Sequence, residues 1–325
     1  MRRRQGGAPR RARGVTMAEL TVALALGALV ALVGSALLVS ASASYLNQAE
    51  AARLNDGGLY ALQTIGRAVR QSAFGGWDDD AGPLGARPED GASVSGIDAR
   101  TLGRDSEGIE LPLGGAVNGS DVLALRYVGA GAGADGDGSV LNCAGFGVAK
   151  AASDAQRSWS IFYVGSDAGG EAELRCKYRG ANGWGADAIV RGVDSFQVLY
   201  GLDTDDPADG VANLYVNASA IEGLDGALVP LGANAAERAL DRNRKTHWKR
   251  VVSVKVALLL HGAPGSAGGA LPARFDLFGK AYSDAWGGGD TGVAIDEKIL
   301  PPAQRGRARR MVDATILLRN PQSER

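Results

Sequence analysis

Several groups of residues in this chain could do chemistry, and each has a spacing to set against what that chemistry requires. Glu19 follows Gly14 by five residues and directly precedes an uncharged apolar run from Leu20 to Val39. An ionised side chain at the centre of a spanning helix costs about 2.5–3.5 kcal/mol, so even at the edge a carboxylate there calls for a role. Asp203, Asp205, Asp206 and Asp209 are the best metal candidates, because closely spaced loop carboxylates can supply several of the oxygens calcium needs. Their spacing is not that of an EF-hand loop, since Pro207 falls where that pattern wants Asp or Asn, and a solvated acidic turn is the expected reading. Asp78–Asp80 is a weaker acidic run. His247 and His261 have no cysteine partner and no metal-ligand spacing; one precedes a strand pattern and the other ends it, so both are expected to be solvated strand-end residues. Gly131, Gly133 and Gly136 satisfy G-x-G-x-x-G, but a dinucleotide site needs a helix to follow, and DGDGSVLNCAG (135–145) reads as a flexible loop. No G-x-S-x-G elbow occurs. The pattern points to no enzyme, no cofactor and no metal site.

The elements that carry these residues begin with the apolar run. It is 20 residues long and holds no charge, Asn, Gln or Pro, about what a helix needs to cross a bilayer. Residues 1–14, MRRRQGGAPRRARG, carry six Arg and no acid. An uncleaved anchor with its Arg-rich side in the cytoplasm would suit this charge distribution. A secretory signal peptide cut near Ala41-Ser42-Ala43 fits less well, because the run exceeds the usual 7–15 residues. Neither explains Gly14 followed by Glu19.

Beyond the run, residues 45–72 continue as a helical pattern, with Leu59, Leu62, Ile65 and Val69 forming an apolar stripe able to lie on a sheet. Gly57-Gly58 is expected to bend or locally melt it, at about 1 kcal/mol per Gly, and the helix should stop near Gly75-Gly76. Residues 77–120 read as a long loop with one short strand around 109–113. Five alternating runs follow, through Leu123–Tyr127, Leu174–Tyr178, Phe196–Tyr200, Val252–Leu260 and Val312–Leu318. One long helix followed by half-buried strands gives an α+β fold with a mainly antiparallel sheet.

The N-terminal arrangement resembles a type IV prepilin signal, carried by Arg13-Gly14, Val15, Thr16 and Glu19-Leu20. The resemblance implies that a prepilin peptidase cuts between Gly14 and Val15 and methylates the new N-terminus, leaving Glu19 as the fifth mature residue. The first mature residue departs from the usual Phe or Met, being Val15. Removing the leader takes six of the 35 basic residues and leaves 29 against 36 acidic ones, an acidic body unsuited to nucleic acid. An exported protein in an oxidising compartment would pair its two cysteines, Cys143 and Cys176.

Downstream, DVLALRY (121–127), LNCAG (141–145), LRC (174–176), VDSFQVLYGLDTDD (193–206), WKRVVSVKVALLL (248–260) and RRMVDATILLRN (309–320) resemble, in order, the PilW family of minor pilins. Many relatives carry a further Cys where this chain has Gly76-Trp77, so only the Cys143–Cys176 pair carries over. The resemblance implies a type IV pilin-like layout: leader 1–14, an N-terminal helix over 15–74 that crosses the membrane at about 20–39, and a β-rich periplasmic head over 75–325. It implies a single-pass inner-membrane protein that joins the pilus, where Glu19 serves filament assembly. Its partners would be the prepilin peptidase, the major pilin, other minor pilins and a tip adhesin. The alternatives are a J-type pseudopilin of type II secretion and a signal-anchored periplasmic binding protein.

Overall fold

The computed structural model describes residues 14–73, 84–85, 87–180, 182–267 and 272–320. The Arg-rich leader, the Gly75-Gly76 stop, Gly76-Trp77 and Asp78–Asp80 lie outside them. The chain divides into two compact units, Met1–Ala49 and Glu50–Arg325.

The helix α1 runs unbroken over Met17–Gln71. From Gly14 to Ala49 every side chain is exposed. In the second half the buried positions are Leu54, Gly58, Ala61, Thr64, Ile65, Gly66, Ala68 and Val69, and Leu54, Gly58, Ala61, Ile65 and Val69 among them are spaced by three and four residues as one helical face requires. Leu59, expected within the stripe, points outward at 47% exposure. The expected break at Gly57-Gly58 does not occur. A Cβ on Gly58 would lie 2.9 Å from the Val312 side chain, and one on Gly57 3.0 Å from that of Val190. The glycines let the helix backbone approach the sheets, and that packing outweighs their weak helix propensity. After Gln71 the Ser72 hydroxyl donates to the Val69 carbonyl, and Ala73 takes a φ of 57° while its N–H donates to the Arg126 carbonyl.

Two antiparallel sheets follow. The first has the order β1-β4-β5-β6-β7, built from Val94–Ile97, Val122–Tyr127, Ser158–Ser166, Ala172–Gly180 and Gly183–Arg191. The second has the order β13-β10-β8-β9, from Arg309–Leu317, Val251–His261, Val193–Leu202 and Leu214–Val216. Only Gly192 separates β7 from β8; its φ is 74°, and a Cβ there would lie 2.6 Å from the His261 carbonyl oxygen, which leaves no room for a side chain. Leu125, Phe162 and Leu174 of the first sheet and Phe196, Val254, Leu258 and Val312 of the second share one core with Ala61, Ile65 and Val69 of α1.

All five alternating runs fall in strands, but β8 and β10 are buried on both faces rather than half-buried. The reason is a second layer. A short pair, β2 (Thr101–Leu102) with β3 (Pro112–Leu113), lies in the segment expected to be mostly loop, with β3 inside the short strand expected around 109–113; Leu102 and Ile109 join Val122, Ile161 and Tyr163 on the outer face of the first sheet. Residues 274–300, with β11 (Arg274–Asp276), α4 (Lys280–Trp286) and β12 (Ala294–Asp296), set Leu277, Ile295 and Leu300 against Ala257 and Leu259 of β10. Two more helices, α2 (Ala218–Gly226) and α3 (Ala235–Lys245), join β9 to β10.

Candidate functional site

The N-terminal residues form a cap around the carboxylate that stood out in the sequence. Thr16 donates its backbone N–H and its hydroxyl to Glu19 Oε2, both at 2.9 Å, while the Glu19 N–H donates to Thr16 Oγ1 at 3.2 Å. This reciprocal pair is a capping box, which satisfies N–H groups that the first turn of a helix leaves unpaired. Gly14 and Val15 precede the helix and are exposed; a Cβ on Gly14 would meet nothing within 4 Å. The backbone around the Gly14–Val15 bond is thus open to another protein. The capping role of Thr16 was not read from the sequence, although T-x-x-E ahead of an apolar run spells the motif.

Where α1 enters the head, a second carboxylate is fixed. Glu50 accepts two hydrogen bonds from Arg53, at 3.0 and 2.8 Å, and one from the Ala263 N–H at 2.8 Å. The Arg53 bonds outweigh partial desolvation and hold its carboxyl at about 2. Gly262 permits this contact, since a Cβ there would lie 2.2 Å from Glu50 Oε1.

Cys143 and Cys176 are joined, with Cα atoms 5.7 Å apart. The bond ties the 141–147 segment to β6, and Gln71 at the end of α1 donates its side-chain amide to the Leu141 carbonyl. Helix end and disulfide therefore brace one another.

Both histidines differ from expectation. His261 does end a strand, but it is 5% exposed, with Nδ1 2.8 Å from Asp194 Oδ1 and Nε2 2.5 Å from Glu171 Oε1. Arg309 completes the cluster, donating to Asp194 at 2.6 Å and to Glu297 at 2.8 Å. Burial raises the Asp194 carboxyl, but His261 and Arg309 overcome it and hold the group below the usual carboxylate range. These charges secure the corner where β7 passes into β8. His247 places Nδ1 2.7 Å from Asp225 of α2. Alternation reports only which face a residue occupies, so partners from distant segments were invisible in it.

Asp203, Asp205 and Asp209 bring carboxylate oxygens within 4.8 Å of one another. Asp203 is buried and accepts from the N–H groups of Asp205 and Gly210, so it shapes the turn around Pro207 instead of being solvated. Asp205 and Asp209 are exposed as expected. Gly131, Gly133 and Gly136 all take positive φ in a loop with no helix after it, which leaves a dinucleotide phosphate nothing to bind.

Residues 161–320, from β5 through β13, match the family profile described as PilW, type IV pilus-assembly protein W. The chain is PilW-like. The match is a similarity over a region that carries most of both sheets. No curated protein matches the sequence. Among solved structures, the type IV-like pilin TTHA1219 from Thermus thermophilus aligns at 14% identity, over 83% of this chain and 98% of that one, with a TM-score of 0.37. That likeness is too loose to carry an argument.

Proposed function

We propose that the protein is a minor pilin, a structural subunit that joins a tip or assembly-priming complex of the type IV pilus. The observation that carries this reading is a PilW-family head on a helix whose first half is apolar, exposed on every side, and opened by Glu19. Such a helix suits the bilayer before assembly and the interior of a helical bundle after it. The head would lie in the periplasm, and the subunit would leave the inner membrane for the pilus alongside the major pilin, other minor pilins and a tip adhesin, supporting twitching motility and adhesion.

In this reading the prepilin peptidase cuts after Gly14 and methylates Val15. The new amine is a cation four residues before Glu19. In a bundle of pilin helices an unpaired charge is costly, and the Glu19 carboxylate of one subunit offsets the amine of the next. The capping box survives the cut, because the Thr16 amide remains an amide. It holds Glu19 in the membrane until a neighbour arrives.

N-terminal sequencing and intact mass of membrane-extracted protein test the proposal. A start at N-methylated Val15 is expected. A start at Met1 or Ser44 would overturn it in favour of an anchor or an ordinary signal peptide. Gly14→Val is expected to leave the full-length chain in the membrane, and normal processing of that variant would sink the cleavage assignment.

A further inference from the structure

Between β8 and β10 the chain makes an excursion from Asp203 to Arg250 that rejoins the second sheet only at β9, and it is charged oppositely at its two ends. Glu237 to Arg250 holds six cations and two acids. Taking those six and the six leader arginines from the 35 basic residues leaves 23, against 34 remaining acids, so the stretch is an electropositive island on an acidic protein. Arg242, Arg244 and Arg250 are exposed and make no side-chain hydrogen bond or ion pair among the described residues. The two acids are already engaged: Glu237 accepts from the Ala233 N–H and from the Asn234 side-chain amide, and Asp241 pairs with Lys245. The helix α3 buries no residue. The basic turn at its C-terminus exceeds what complementing the helix dipole needs, because Arg250 lies beyond the helix.

At the other end, Asp205, Asp206 and Asp209 are exposed and have no cation partner among the described residues. The two ends meet at their base, where the Asp203 N–H donates to the Arg250 carbonyl at 2.9 Å. Between them along the chain, Val211, Val229 and Leu231 are 60%, 77% and 67% exposed. Acids and bases that rise from one base, with exposed apolar side chains along the same excursion, are the make-up with which a surface can complement a second copy of itself under a twofold axis.

We infer that the 203–250 excursion is a docking face for a second copy of this chain. A twofold contact sets Arg242, Arg244 and Arg250 of each copy against Asp205, Asp206 and Asp209 of the other. The charges fix register and speed encounter, while the apolar side chains supply burial that exposed ion pairs alone would lack. The inference does not depend on the subunit's position in a pilus.

Sedimentation velocity of the detergent-solubilised full chain tests it at 50 and 500 mM NaCl. The wild type is expected to dimerise at low salt, with a dissociation constant about tenfold weaker at high salt. Arg242→Glu/Arg244→Glu/Arg250→Glu and Asp205→Lys/Asp209→Lys should each be monomeric alone, and an equimolar mixture of the two should dimerise. A wild type monomeric at both salts, a variant that dimerises alone like wild type, or a mixture that stays monomeric would each overturn the inference. All the substituted side chains are exposed, so the thermal transition of the head should be retained. Should a reversal variant lose it, Arg242→Gln/Arg244→Gln takes its place, and unchanged dimerisation of that variant overturns the inference as well.

Discussion

From Met17 to Ala49 every side chain of α1 is exposed, whereas from Glu50 to Gln71 the same helix buries Leu54, Gly58, Ala61, Ile65, Ala68 and Val69 against strands. The first half is apolar all round and offers no preferred face. The second is amphipathic, with small residues where the sheets come closest. One continuous hydrogen-bond ladder thus serves two environments, and composition alone tells them apart. A uniformly apolar surface suits lipid or a bundle, and a one-sided stripe suits a protein core. Each half also has its own carboxylate. Glu19 caps the helix start, and Glu50 fastens the point of entry to the head.

If the halves are independent, changes in the first should abolish assembly without touching the head, and changes in the second should do the reverse. The largest effect is expected from Glu19→Val, which makes the segment more apolar and should leave membrane insertion and head folding intact. Fractionated cells should hold equal membrane levels of both proteins, with the variant missing from sheared pili. Incorporation at the wild-type level would make Glu19 a bystander.

Next comes the disulfide that braces the end of the second half. Cys143→Ser/Cys176→Ser removes closure of a loop with a sequence separation of 33. The head should lose about 3–4 kcal/mol of stability by chain entropy, read from urea unfolding. A loss below 1 kcal/mol would mean that packing around 141–147 suffices without it.

A smaller effect separates the glycines of the two halves. Gly58→Leu must push against Val312 and should destabilise the head by about 1–3 kcal/mol through overpacking. Gly34→Leu meets nothing within 4 Å and should leave the head's unfolding midpoint unchanged. Equal behaviour of the two variants would erase the distinction between the halves.

The smallest effect is a pH dependence at Glu50. Its folded carboxyl, at about 2, lies below the ordinary value of 4.5, so its contribution is fully present above pH 4.5 and fades as pH falls toward 2. Because the clasp lies near the surface, about 1 kcal/mol or less is expected. Comparing wild type with Glu50→Gln from pH 6 to 3 should show the two stabilities converge as the acid limit is approached. A constant gap would assign the effect to packing.

The α+β class, the unbroken apolar start of α1 and the five alternating strands were legible because periodicity is a local property of the chain. β3 falls within the short strand expected around 109–113, but β1 and β2 were not legible, since short strands in a Gly- and Asp-rich stretch owe their existence to the partner they join. The expected stripe of α1 holds at Leu62, Ile65 and Val69 and fails at Leu59, because Leu59 looks like core and Gly58 does not. Only the presence of Val312 opposite reverses that. The cysteine pair could be anticipated from compartment, while the partners of His261 required the meeting of Glu171, Asp194 and Arg309 from three strands and a turn.

Gly192 has a mechanical consequence. The Gly192 N–H donates to the Ala172 carbonyl, and its own carbonyl accepts from the His261 N–H. The single residue between the two sheets is therefore riveted on both sides, and the contacts among Asp194, His261 and Arg309 clamp the same corner. A pull delivered along the second half of α1 reaches β7 through Val190 and β10 and β13 through Leu260 and Val312. With no slack between β7 and β8, the sheets share tension as one plate, and tearing them apart requires breaking the corner first. A protein loaded along α1 gains from such a joint what a flexible linker would forfeit.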